Sequence, residues 1–297
     1  MKEQVKKAIR IRKTAKKIFR YLLMGGMIFL AGYLLRPYYP KISGYFKLYA
    51  KAPTLDTEEI DSYFDLLLKH ALPGKELVLD LGLEDKDSLQ LAIDRLKSVM
   101  GLKDYTIWLA YHDQDEPPAY IQQLNDTVMN LRFSKKITKR REQLNVLAHE
   151  LSHVYVWKLK SSVFEKCDQE KLTDCSTVFS GLGVLTLNGL TDETIFSFDG
   201  YKTQKKLFGY LSPEQFGYLV ARYCAEKGIP EDSVRPFLNS TGRKYFDIGC
   251  TYLKNSGRKI MRSAKPATGI YWCPKCSSPM RISLSGKIRN LDCSDCK

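Results

Sequence analysis

Two of the four histidines in the chain lie in Val146-Leu-Ala-His-Glu-Leu-Ser-His153. His149 and His153 are four positions apart, so on an α-helix their imidazoles stack on one face and can hold one metal ion. Glu150 sits one position along, where its carboxylate reaches a water on that metal without ligating the metal itself. Seventeen residues beyond His153 comes Glu170, followed by Lys171-Leu172-Thr173-Asp174. A catalytic zinc needs a third protein ligand and an open fourth position. A carboxylate at Glu170 on a second helix supplies the ligand, and Asp174, one turn on, can orient a histidine. Each feature has an ordinary reading, because a short H-E-x-x-H arises by chance and acids are common at solvated helix starts. Together they point to a metal centre of His149, His153 and Glu170, with Glu150 within reach of its water.

A second ligand set closes the chain. Cys273-Pro-Lys-Cys276 and Cys293-Ser-Asp-Cys296 are separated by sixteen residues, the spacing of a four-thiolate zinc site. Met280–Leu284 suits a short strand between them and Ser285-Gly286-Lys287 a turn, so residues 270–297 read as a zinc ribbon. Four protein ligands leave no open position, which makes this zinc structural. Two disulfides are the alternative, in an oxidising compartment. Cys167, Cys175, Cys224 and Cys250 show no ligand spacing, and Cys175 reads as a small buried residue.

The elements that must position these groups are mostly helical. A helix from about Thr138 to Lys158 carries the histidines, with Leu144, Leu147, Ala148, Leu151, Val154 and Tyr155 on its packing face. A second runs from about Asp168 to Leu187 and stops at Asn188-Gly189. Further helices are expected after Thr57, after Asp87 up to Gly101, from Ser212-Pro213-Glu214, and over Arg243–Lys254, with a short piece between Pro230 and Pro236. Tyr105–Leu109 is a short β-rich run. Asp126–Phe133 alternates as a half-buried strand does. Its part Val128–Phe133, just ahead of the histidine helix, is either an edge on which an extended peptide adds or an ordinary core strand. The fold class is α+β, with one main domain at residues 56–255.

The pair His149-Glu150-x-x-His153 and Glu170-x-x-x-Asp174 resembles the gluzincin metallopeptidases, the thermolysin-like zinc enzymes. The stretches Thr173–Gly183 and Phe208–Tyr218 are similar to bacterial proteins carrying the same motif pair, and the likeness covers about residues 100–255. The resemblance implies a zincin-like core in which His149, His153 and Glu170 bind zinc, Glu150 is the general base and Asp174 supports His149. It also implies a peptide or protein substrate, cleaved by a zinc-activated water. The family uses a further donor for the oxyanion. Tyr155, Tyr210, Tyr218, Arg222 and His112 are all eligible here, and the sequence does not choose among them.

Charge is unevenly placed. Of the formal +14, residues 1–20 carry +8 and residues 254–297 another +8, leaving −2 for the middle. Such a distribution argues against a protein coated in nucleic acid. Between Arg20 and Arg36 lie fifteen uncharged residues, short of a full span unless flanking residues extend it within 21–40 while the arginines snorkel. This predicts a single-pass membrane anchor after a basic segment, with a cleaved signal peptide or a buried helix as alternatives. The positive-inside count puts the main body outside, whereas four unpaired thiols and a thiolate zinc site favour the cytoplasmic face, and the balance leans slightly to the latter. The ribbon's basic approach suits a protein partner, nucleic acid or anionic lipid. Two rivals to a peptidase follow: a catalytically silent zinc-binding adaptor, and a nucleic-acid-associated membrane protein acting through the ribbon.

Overall fold

The computed structural model describes residues 55–71, 74, 76–84, 87–113, 117–197, 200–206, 209–258, 267–284 and 293–296, and of 191–206 only the backbone. The basic segment 1–20 and the apolar run within 21–40 lie outside these residues, as does the expected ribbon turn at 285–287. Among the described residues no helix is long and apolar enough to cross a membrane.

The fold is α+β. Helix α1 (Glu58–His70) leads into strand β1 (Glu76–Asp80), and α2 (Leu89–Val99) follows with Ser88 as its cap, its hydroxyl accepting from Leu91 N–H. Strands β2 (Thr106–His112), β3 (Ala119–Gln123) and β4 (Val128–Ser134) form one sheet in the order β2-β4-β3. β4 is parallel to β2 and antiparallel to β3. Val128–Phe133 is therefore the central strand, and its reading as an edge is corrected. The outer strands are β2 and β3, and β3 is hidden in the sequence behind Pro117-Pro118 and joined to β4 by a tight turn. There the Asn125 side chain accepts from the Thr127 and Val128 amides.

The histidine helix α3 (Arg140–Leu159) runs through the core: Leu144, Leu147, Ala148, Leu151, Val154 and Tyr155 are all buried. The single helix expected from 168 to 187 is three pieces: α4 (Gln169–Thr177), a wide π-type turn (Val178–Leu182) and α5 (Gly183–Gly189). The break is at Gly181, whose φ of 88° only glycine adopts readily. A Cβ there would lie 2.2 Å from the Glu76 carbonyl oxygen, so β1 packs into the gap. Hairpin β5 (Thr191–Ser197) and β6 (Gly200–Lys206) follows. Helix α6 (Pro213–Glu226) then opens with a capping box between Ser212 and Gln215. It packs on α8 (Ser240–Asn255) after the short α7 (Glu231–Val234).

The carboxy-terminal strands β7 (Thr268–Trp272) and β8 (Pro279–Ser283) pair antiparallel, and β7 also pairs parallel with β1. The ribbon hairpin thus completes a sheet of the main body in the order β1-β7-β8. Ile270, Trp272 and Leu284 are buried in the common core. Gly82, at φ 57°, lets the chain pass against the Trp272 carbonyl, and the Arg95 guanidinium lies 5.7 Å over the Trp272 ring.

Candidate metal centre

Helices α3 and α4 pack face to face, and that contact assembles the centre. His149 and His153 project from successive turns of α3 towards Glu170 in the first turn of α4. Asp168 caps α4 by accepting from the Glu170 and Lys171 amides, which fixes where that first turn begins. His149 Nε2 lies 3.2 Å and His153 Nε2 3.4 Å from Glu170 Oε2. Ligands on a tetrahedral zinc with bonds of roughly 2.05 Å stand about 3.3 Å apart, so the three donors have the spacing of one ion's ligands. Two imidazoles and one carboxylate are also the donor set of an open, catalytic zinc site.

The outer groups are equally ordered. His149 Nδ1–H donates to Asp174 Oδ1 at 2.8 Å, which leaves Nε2 for the metal. The other carboxylate oxygen, Oδ2, accepts from Tyr210 N–H at 2.7 Å and Leu211 N–H at 3.0 Å. On the far side, Thr173 Oγ1 is 3.1 Å from His153 Nδ1. Two aromatic rings wall the centre: Tyr210, 63% exposed, stacks on His149, and Trp157, 37% exposed, stacks on His153.

Glu150 is 6% exposed and faces the same cleft without joining the ligand cluster. Burial is the main cause that pushes its carboxyl up to about 7, partly offset by the His149 charge and by an N–H bond from Ile121 on β3. Burial lowers the His149 pKa, but the hydrogen bond and charge of Asp174, the hydrogen bond to Glu170 and the charge of Glu150 overcome it and raise it to about 10. Burial and then the neighbouring His149 charge depress His153 to about 4. Glu170 is held below the usual carboxylate range, chiefly by its hydrogen bond to His149.

The cleft has a volume of about 510 Å³, and apart from Glu150 and the ligands its lining carries no charge. Pro118, Ala119, Ile121, Val146, Trp157 and Tyr210 are prominent in it. Of the residues eligible as oxyanion donor, only Tyr210 stands in this cleft. Tyr155 is buried in the core, and Tyr218 and Arg222 bond Asp61 beneath α1. His112 ends β2 against the Tyr120 ring, itself part of the cleft wall. The sequence reading missed β3, Trp157 and the Thr173 contact. Trp157 was findable, since it lies one helical turn beyond His153 on the same face.

The second ligand set also converges. Cys273, Cys276, Cys293 and Cys296 place their sulfurs within 4.8 Å of one another, as a four-thiolate metal site requires. The first knuckle is closed by the Cys273 amide on the Ser278 carbonyl at 3.0 Å and by the Ser277 amide on the Cys273 carbonyl at 2.9 Å. The Ser278 hydroxyl and amide lower the Cys276 thiol pKa, whereas the neighbouring thiols raise that of Cys296. Both clusters are compatible with zinc. All eight cysteines are free of disulfides, and Cys175 is fully buried.

Comparison with protein-family models, with curated proteins and with solved structures gives no match for this chain.

Proposed function

We propose that the chain is a membrane-tethered zinc peptidase of gluzincin type, hydrolysing peptide bonds at the His149–His153–Glu170 centre with Glu150 as general base. One observation carries the reading. Three donors stand at the spacing of a zinc ion, and a fourth, buried carboxylate that is not among them faces the same cleft. A silent adaptor needs only the donors, and burying a further ionisable group beside them is costly.

Zinc bound by His149, His153 and Glu170 would polarise the scissile carbonyl and lower the pKa of its water. Glu150 takes the proton of the attacking water and delivers it to the leaving amine nitrogen. A buried carboxyl that faces the cleft and stays outside the ligand cluster is placed for both halves of that transfer. Asp174, through His149, holds the imidazole in the tautomer that presents Nε2. Tyr210, exposed over His149, is the donor best placed to meet the developing oxyanion. β3 supports the substrate assignment: among the described residues it pairs on one side only, with β4, and Ile121 turns its N–H towards Glu150. An extended peptide laid along β3 gains backbone partners there, and the apolar lining favours uncharged side chains around the cleaved bond. The tether rests on the uncharged run between Arg20 and Arg36.

Quenched fluorescent peptides with apolar residues on both sides of the bond test the proposal. The zinc-loaded chain should cleave them, lose activity to a chelator and regain it with zinc. Cleavage indifferent to chelation, or none by the loaded chain, refutes it.

A further inference from the structure

One contact at Thr173 is not explained by the centre described above. Thr173 is buried, and its hydroxyl lies 2.7 Å from the Gln169 carbonyl oxygen and 3.1 Å from His153 Nδ1. A hydroxyl has a single proton. A carbonyl oxygen can only accept, so that proton goes to Gln169 and a lone pair is left facing the imidazole. The nitrogen at 3.1 Å must then be the donor, which places the proton of neutral His153 on Nδ1 and frees Nε2 towards Glu170.

We infer that Thr173 is a positioning residue for the metal centre, fixing the tautomer and ring orientation of His153 as Asp174 does for His149. The inference rests on the proposed function, because it assigns His153 Nε2 to a metal. Consecutive residues of α4 thus serve the two histidines from successive turns of α3, one with a carboxylate and one with a hydroxyl. Neighbouring contacts hold the pair in register. The single Thr177 Oγ1 proton is shared between the Thr173 carbonyl at 3.0 Å and Ser152 Oγ at 2.8 Å, and Ser152 Oγ donates to the Ala148 carbonyl at 2.7 Å. Ser152 immediately precedes His153, so the hydroxyl ladder ties α4 to the turn of α3 that carries it.

A simple threonine back-bond to its own helix satisfies the hydroxyl and would make no demand on His153. Substitution separates the two roles. Thr173→Val keeps the branched shape and removes the acceptor, whereas Thr173→Ser keeps the hydroxyl. Zinc affinity is read on the full chain by chelator competition. Cobalt(II) distinguishes the sites, since thiolate charge-transfer bands arise only at the cysteines. Nitrogen-15 spectra of the imidazoles in the metal-free chain report the His153 tautomer.

The expected result is zinc binding at the histidine site roughly 10–100-fold weaker in Thr173→Val, restored in Thr173→Ser. The cysteine site should be unchanged in both variants, which shows that they fold. His153 should carry its proton on Nδ1 in the wild type and the serine variant, and as a mixture of tautomers in the valine variant. Equal zinc affinity in the wild type and Thr173→Val, or a serine variant as weak as the valine one, overturns the assignment while leaving the proposed function standing. A wild-type chain that binds metal only at its cysteines overturns both.

Discussion

Replacing Glu150 with Gln should stabilise the metal-free protein, by an amount that grows as pH rises from about 4.5 to about 7. The carboxyl is 6% exposed, and burial raises it from 4.5 to about 7. For an acid raised in the folded state, the unfolded chain binds fewer protons between those two values, so stability falls as pH rises through that window. Below about pH 4 both states are protonated and the group costs nothing. Above about pH 8 both are ionised, and the full difference of roughly 2.5 units corresponds to about 3 kcal/mol. At pH 5 the cost is still under about 1 kcal/mol. The glutamine side chain is nearly isosteric, keeps an oxygen for the Ile121 N–H and carries no charge. Its variant should melt higher than wild type by roughly 6–12 °C at pH 8, and by only a few degrees at pH 5. Thermal unfolding of the two metal-free proteins at both pH values measures this. A shift of the same size at both, or a variant less stable at pH 8, would show that Glu150 is not a strained buried carboxylate. The base would then have lost its physical signature.

Three further outcomes follow from the geometry. Asp174→Asn should weaken zinc binding at the histidine site by roughly 10–100-fold in chelator competition. Both carboxylate oxygens accept hydrogen bonds, so an amide turned either way sets its NH₂ against a donor. Elemental analysis should give two zinc ions per chain and one after Cys276→Ser with Cys293→Ser, and a wild-type ratio of one would contradict the reading of two sites. Truncation after Arg258 removes β7 and with it the buried Ile270 and Trp272. At roughly 1.5–3 kcal/mol for each large apolar side chain removed, the remainder should lose its cooperative unfolding transition. An unchanged melting curve would show the ribbon to be a dispensable module.

The candidate metal site was legible because a ligand set depends on local spacing. His149 and His153 share a helix face by their separation alone, and Glu170 and Asp174 repeat that spacing on α4. The structure brings all four together as the sequence suggested. What escaped was set by long-range contacts. The break at Gly181 is imposed by β1, about a hundred residues away, although Ser180-Gly-Leu-Gly183 held a hint of it. The edge strand β3 is short and follows two prolines, so the alternation that identified β4 could not reveal which of them lay outside. Nothing in the cysteine spacing showed that the ribbon hairpin would extend the sheet begun by β1. The Thr173 hydroxyl bonds its own helix through the Gln169 carbonyl, and only the folded approach of α3 brings His153 to its other side.

The central claim is that Glu150 uses the metal centre to hydrolyse peptide bonds. Its most direct test incubates zinc-loaded wild type and Glu150→Gln side by side with a mixed peptide library and identifies new amino termini by mass spectrometry. The account predicts new termini next to apolar residues with the wild type, and none with the variant, while both proteins retain two zinc ions. The same set of products from both proteins, or no products from a fully loaded wild type, would contradict it.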